Sequence, residues 1–179
     1  VYHAQAGDIV FHASTSAQSV AVQKATGSAY NHMGIVLFKQ GKPYVFEAIQ
    51  PVSWTPLQRW LNRGQGGHYV VKRSRIPLTE AQLARLSQEA QKYVGKDYDL
   101  TFEWSDQRLY CSELVCKLFK AATGRELAPL ARLREFNLND PTVKAKLAER
   151  YGNRLPLDEA VIAPVAILNA PSLVTVAQH

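Results

Sequence analysis

Apolar positions along this chain fall into two rhythms. Strand-like runs come at residues 7–11 (Gly7-Asp8-Ile9-Val10-Phe11), 33–38, 44–49 and 68–73. The second and third flank Lys39-Gln40-Gly41-Lys42-Pro43, which predicts a hairpin. Gly64-Gln65-Gly66-Gly67 reads as a loop before the fourth. A helical rhythm runs over 16–25, with Ser14 or Ser16 as cap and Gly27 as stop. A helical turn is expected at 57–61 after Pro56. The clearest helix is 79–94: Thr79 caps it, Leu83, Leu86, Ala90 and Val94 form its stripe, and Gly95 ends it. Residues 96–107 read as a loop rich in aromatics, Tyr98, Phe102 and Trp104 among them. A helix then follows at Cys111, with Leu114, Val115, Leu118, Phe119 and Ala122 as its apolar stripe, and ends at Gly124. Asp140-Pro141 opens another that Gly152 closes. The tail after Leu155 is apolar and broken by prolines, as expected of a segment that packs onto the rest.

Strands that are mostly neighbours in sequence, flanked by separate helices, predict an α+β fold around an antiparallel sheet. The 179 residues suffice for one domain with a substantial core, and no boundary or repeat divides residues 1–179. No run approaches the ~18 apolar residues of a membrane span. The net charge of +6 changes the picture little. Basic residues such as Lys72, Arg73 and Arg75, or Arg132 and Arg134, do not join into a nucleic-acid stripe, and a solvated positive surface is expected. An anionic partner such as a cell-wall polymer or lipid headgroups is the sharper alternative. The sequence starts at Val1 without an initiator Met, which fits either a removed signal peptide or a trimmed terminus.

The two cysteines, Cys111 and Cys116, stand on one predicted helix, separated by about 7.5 Å of rise and about 140° of rotation. That exceeds the ~7 Å Cα limit of a disulfide, so both are expected to be free thiols. Cys111 lies at the helix start, where free N–H groups and the helix dipole favour a thiolate. Its spacing to Leu114 and Val115 points the sulfur toward the sheet, while Cys116 falls off the stripe. Upstream, His32 opens one apolar run and Glu47 lies within the next. A thiol, an imidazole to take its proton and a carboxylate to orient the imidazole make a nucleophile system. A two- or four-residue hairpin loop would put His32 and Glu47 on one face as diagonal neighbours, and a three-residue loop would separate them. A carboxylate inside an apolar strand also demands a partner. If the shared face is the one covered by the Cys111 helix, all three groups converge.

Other chemistries are weaker. There is no Cys-x-x-Cys and no His-Glu-x-x-His, and His3 and His12 read as scattered surface histidines, so no metal site is expected. The glycine loop at 64–67 lacks the Lys-Ser/Thr of a phosphate loop. Ser112 lacks a Gly-x-Ser-x-Gly frame. No organic cofactor is called for.

At these residues the chain resembles the YiiX/YaeF family of permuted papain-like amidases. The strings that carry the likeness are Gly7-Asp8-Ile9-Val10-Phe11, Tyr30-Asn31-His32-Met33-Gly34, Pro43-Tyr44-Val45-Phe46-Glu47-Ala48, Gly95-Lys96-Asp97-Tyr98-Asp99 and Tyr110-Cys111-Ser112-Glu113-Leu114-Val115. The family is similar to circularly permuted NlpC-type cysteine peptidases. The resemblance implies a permuted papain-like fold, with the sheet against the cysteine-bearing helix. It implies Cys111 as nucleophile, His32 as general base and Glu47 as its orienting residue. Tyr110 is a candidate for substrate or oxyanion contact or a packing aromatic, and Tyr98 and Asp99 are placed at the cleft rim. It further implies a periplasmic protein made with a signal peptide.

The leading expectation is a cysteine hydrolase that cleaves an amide, by analogy in a cell-wall peptide. The second keeps the site but takes a lipid-like acyl substrate, as acyltransferase or thioesterase. An apolar cleft lined by Tyr98, Phe102, Trp104 and the C-terminal tail would favour that one, and a polar cleft with charged anchors would favour a peptide. The third is a non-catalytic cell-envelope binder.

Overall fold

The structure is a computed structural model and describes residues 1–99 and 104–179. The elements run β1 (Ile9–His12), α1 (Ala17–Thr26), β2 (His32–Lys39), β3 (Lys42–Glu47), β4 (Ser53–Pro56), α2 (Leu57–Arg63), β5 (Val70–Ser74) and α3 (Glu80–Gln91). They continue with β6 (Asp97–Tyr98), β7 (Arg108–Leu109), α4 (Cys111–Thr123), β8 (Ala131–Arg132), α5 (Pro141–Tyr151), β9 (Ala160–Val161), α6 (Pro164–Leu168) and β10 (Leu173–Gln178). Six strands form one sheet in the order β10-β5-β1-β2-β3-β4, and the paired strands within it are antiparallel. This is the expected α+β architecture. Phe102 of the aromatic loop lies outside the described residues.

The sheet is covered on both faces, which is why β2 reads as an unbroken apolar run. On one face Ile9, Phe11, Met33, Ile35, Leu37 and Phe46 pack with Leu86 and Ala90 of α3 and Leu114 and Leu118 of α4. On the other, Val10, Val36, Val45 and Val71 pack with Leu57, Trp60 and Leu61 of α2. Each fully buried aliphatic or aromatic side chain contributes about 1.5–3 kcal/mol. Both covers fix the sheet end where β2 begins and α4 starts.

Local signals explain most boundaries. Ser16 caps α1 through a bond from Ser19 N–H, and Gly27 ends it in the left-handed region at φ 72°. Thr79 and Gln82 form a reciprocal capping box on α3. That helix stops at Gln91 rather than reaching Val94, which is exposed. The chain is drawn off by Gly95 N–H donating to Val52 C=O and Val52 N–H donating to Lys96 C=O. The tail packs on the domain as expected, but it also contributes β10, an edge strand on β5 whose pairing shifts between Thr175 and Ala177. Both cysteines are free. Cys116 is buried in the α4 core rather than off its apolar side, and that burial pushes its thiol up to about 12.

Candidate active site

The β2–β3 hairpin turns through Gln40-Gly41, with Lys39 paired to Lys42 and Ile35 to Phe46. This is the two-residue loop case. One step beyond Ile35–Phe46 sets Gly34 opposite Glu47, so His32 lies on the diagonal from Glu47 on the same face. That face is the one covered by α2, not by α4. The condition set for convergence, that the cysteine helix covers the shared face, is therefore not met. His32 and Cys111 come together differently: His32 is the first residue of β2 and Cys111 the first of α4, so the meeting takes place at the end of the sheet.

Glu47 is fully buried and saturated with donors. His32 Nε2 donates to Oε1 at 2.8 Å, Trp60 Nε1 to Oε1 at 3.1 Å, Thr55 Oγ1 to Oε2, and the Arg63 guanidinium to both oxygens. Burial raises the carboxyl pKa. The hydrogen bonds from His32 and Arg63, with their charges, overcome that and hold it down at about 2. An ionised carboxylate only accepts, so Nε2 of His32 carries a proton. Nδ1 is then the nitrogen left for the thiol. Burial opposes charging of His32, yet hydrogen bonds with Cys111 and Glu47 raise it to about 9. His32 thus lies between a carboxylate and Cys111, and both favour its charged form.

Thr55, Trp60 and Arg63 were not singled out in the sequence. The signal was Glu47 itself, which needed partners, but nothing in a linear reading says that β4 and α2 supply them. His12 corrects another expectation. It is buried, not a surface residue, and it stacks on Trp60 with ring centroids 3.7 Å apart, 5.3 Å from the His32 ring. Burial, then the charge of His32, push it down to about 3, so it stays neutral beside His32.

Two recesses meet at this site. A narrow slot of about 90 Å³ opens from Cys111 between α1, α5 and the strap at 161–164, with Val22, Ala25, Val143, Leu147 and Ile162 in its walls. A wider cleft of about 490 Å³ adjoins His32 and is lined by Ser14, Ser16, Gln18, Gln50 and Arg63. Tyr98 borders both. Trp104 does not line either recess, whereas the tail does. Tyr110 borders the slot, and its hydroxyl accepts from Ile162 N–H at 3.3 Å. Asp99 is buried instead of standing at the rim, and its N–H donates to Leu109 C=O.

Comparison with known proteins shows the family and the fold. The family model of the permuted papain-like amidases, YaeF/YiiX, peptidase family C92, matches residues 3–177. The protein YiiX of Escherichia coli (strain K12) is 47% identical over 175 residues, covering 98% of this chain and 87% of that protein. The crystal structure of YiiX from Escherichia coli O157:H7 superposes with a TM-score of 0.95 at 47% identity, covering 99% of each chain. That structure is described as one of a metalloprotein. Among the described residues of the present chain, no group of three or more His, Cys, Asp or Glu side chains is placed to hold a metal ion, so the donor set does not fit such a centre. The chain belongs to the YaeF/YiiX family of permuted papain-like amidases.

Proposed function

We propose that this protein is a cysteine hydrolase that cleaves an amide by acyl transfer through Cys111. The carrying observation is the contact of Cys111 with an imidazole ring that is itself held by a buried carboxylate. The sulfur, having left its proton on His32, adds to the carbonyl carbon. First-turn N–H groups of α4, which lack intrahelical acceptors, offer donors for the oxyanion. The intermediate collapses with cleavage of the C–N bond, and His32 delivers its proton to the departing nitrogen. Water then adds to the thioester as His32 takes one of its protons, the C–S bond breaks, and the acid leaves. Glu47 holds the ring in position throughout. The described side chains do not form a metal centre, and no step runs through one.

The two recesses support a division of the substrate. The acyl half stays on sulfur, which opens on the apolar slot; the leaving half takes its proton from His32, which opens on the polar cleft. An apolar acyl group joined to a polar amine suits both sides better than a cell-wall peptide does. The same observation favours transfer of a lipid-like acyl group, or thioester cleavage, as the second reading. A periplasmic location rests on the family resemblance alone.

The test is a panel of N-acyl amides, acyl thioesters and peptidoglycan fragments, with mass spectrometry of the Cys111 peptide. An acyl adduct from the amides, absent in His32→Ala, supports the hydrolase. Adducts from thioesters alone would replace amide cleavage with the second reading.

A further inference from the structure

The residues on either side of Cys111 are tied to one and the same residue of the C-terminal strap. Ser112 Oγ donates to Ile162 C=O at 2.6 Å, and Ile162 N–H donates to Tyr110 Oη at 3.3 Å. Both polar backbone groups of Ile162 are thereby taken by side chains flanking the nucleophile. Ser112, Tyr110 and Ile162 are all buried, so these bonds form away from water, where losing a partner is costly. The strap itself is short. Ala160–Val161 pairs with Ala131–Arg132, and α6 begins at Pro164. Val161, Ile162, Ala163 and Pro164 line the slot that opens at Cys111, together with residues of α1 and α5.

We infer that Ser112 and Tyr110 are positioning residues that set acyl-chain selectivity by fixing the Val161, Ile162 and Ala163 wall at a set distance from the Cys111 sulfur. This rests on the proposed reading of Cys111 as nucleophile with its acyl group in the slot. Neither hydroxyl takes part in bond making. Their effect passes through the wall: the two bonds hold Ile162 against the start of α4, and the width of the slot beside the sulfur follows from that. Side chains next to a nucleophile in sequence thus decide which acyl groups reach it.

The test uses N-alkyl iodoacetamides from N-methyl to N-octyl, with alkylation of the Cys111 peptide timed by mass spectrometry. It needs no turnover. The ratio of N-octyl to N-methyl rates cancels any change in the thiol and reads the slot. In the native chain the ratio should depend on chain length. Ser112→Ala and Tyr110→Phe should each change the ratio roughly three- to tenfold, the range that one ordinary hydrogen bond supports. Ser112→Thr, which keeps the hydroxyl, should return it toward the native value. Ile162→Ala keeps both backbone bonds and trims the wall, so it should raise the ratio for the longest reagents. A ratio that stays at the native value in Ser112→Ala and Tyr110→Phe overturns the inference, whatever happens to thermal stability. Should the N-methyl rate of the native chain equal that of His32→Ala, the nucleophile reading fails, while the ratio still reports on the wall.

Discussion

His32 and Glu47 meet along a diagonal of the β2–β3 hairpin, Nε2 to Oε1 at 2.8 Å, and Gly34 stands between them on β2, close against β3. A Cβ at Gly34 would run into Val45 Cγ1 and stand 2.9 Å from Phe46 O and 3.4 Å from Glu47 Cβ. The Phe46 contact is with backbone and cannot rotate away. Gly34→Ala should therefore cost about 1–3 kcal/mol, as overpacking does. It should also displace Glu47 and lower activity beyond what the stability loss explains. Urea unfolding and turnover of the folded fraction measure the two effects separately.

The second prediction concerns the charge on Glu47. Its hydrogen bond and charge are part of what raises His32 to about 9. Turnover that needs the imidazolium should hold at neutral pH and fall as pH rises through about 9. In Glu47→Gln the fall should begin at lower pH, with a rate loss of about 10²-fold or more from the less well-held ring. A pH–rate profile checks this. The sign for stability is the same. His32 is raised above its unfolded value of about 6.5, so its contribution is complete below that pH and is lost as pH rises through about 9.

His12 makes the opposite prediction. Its pKa is depressed to about 3, chiefly by burial, so it folds neutral while the unfolded chain binds a proton below about pH 6.5. Its contribution is present above that pH and is lost as pH falls toward about 3. Between pH 6.5 and 4.5 the cost is about 2 kcal/mol. His12→Phe, which can keep the stack on Trp60, should flatten the acid limb of stability. Urea midpoints at the two pH values, native against variant, measure it.

The parts of the site that were legible in sequence are those governed by local rules. Ser16, Gly27, Thr79, Gly124 and Asp140 mark helix ends because capping is a matter of a few adjacent residues. The hairpin itself was legible, but its parity was not, because the two-residue loop through Gln40-Gly41 that sets it is seen only in the structure. Nor was the covering face. β2 is apolar on both sides, so alternation alone does not say which side α4 takes. Arg63 and Trp60 reach Glu47 because α2 folds back over the sheet, a long-range event with no local mark. His12 looked like a surface residue because its buried environment is assembled from β2 and α2, and β10 went unread because its pairing with β5 joins distant segments.

The most direct test of the account is whether Cys111 owes its reactivity to His32. Iodoacetamide alkylation of the Cys111 peptide at pH 7 should be about tenfold slower or more in folded His32→Ala than in the native chain, because the imidazolium that holds the sulfur's proton is gone. Equal rates in the two proteins would contradict it.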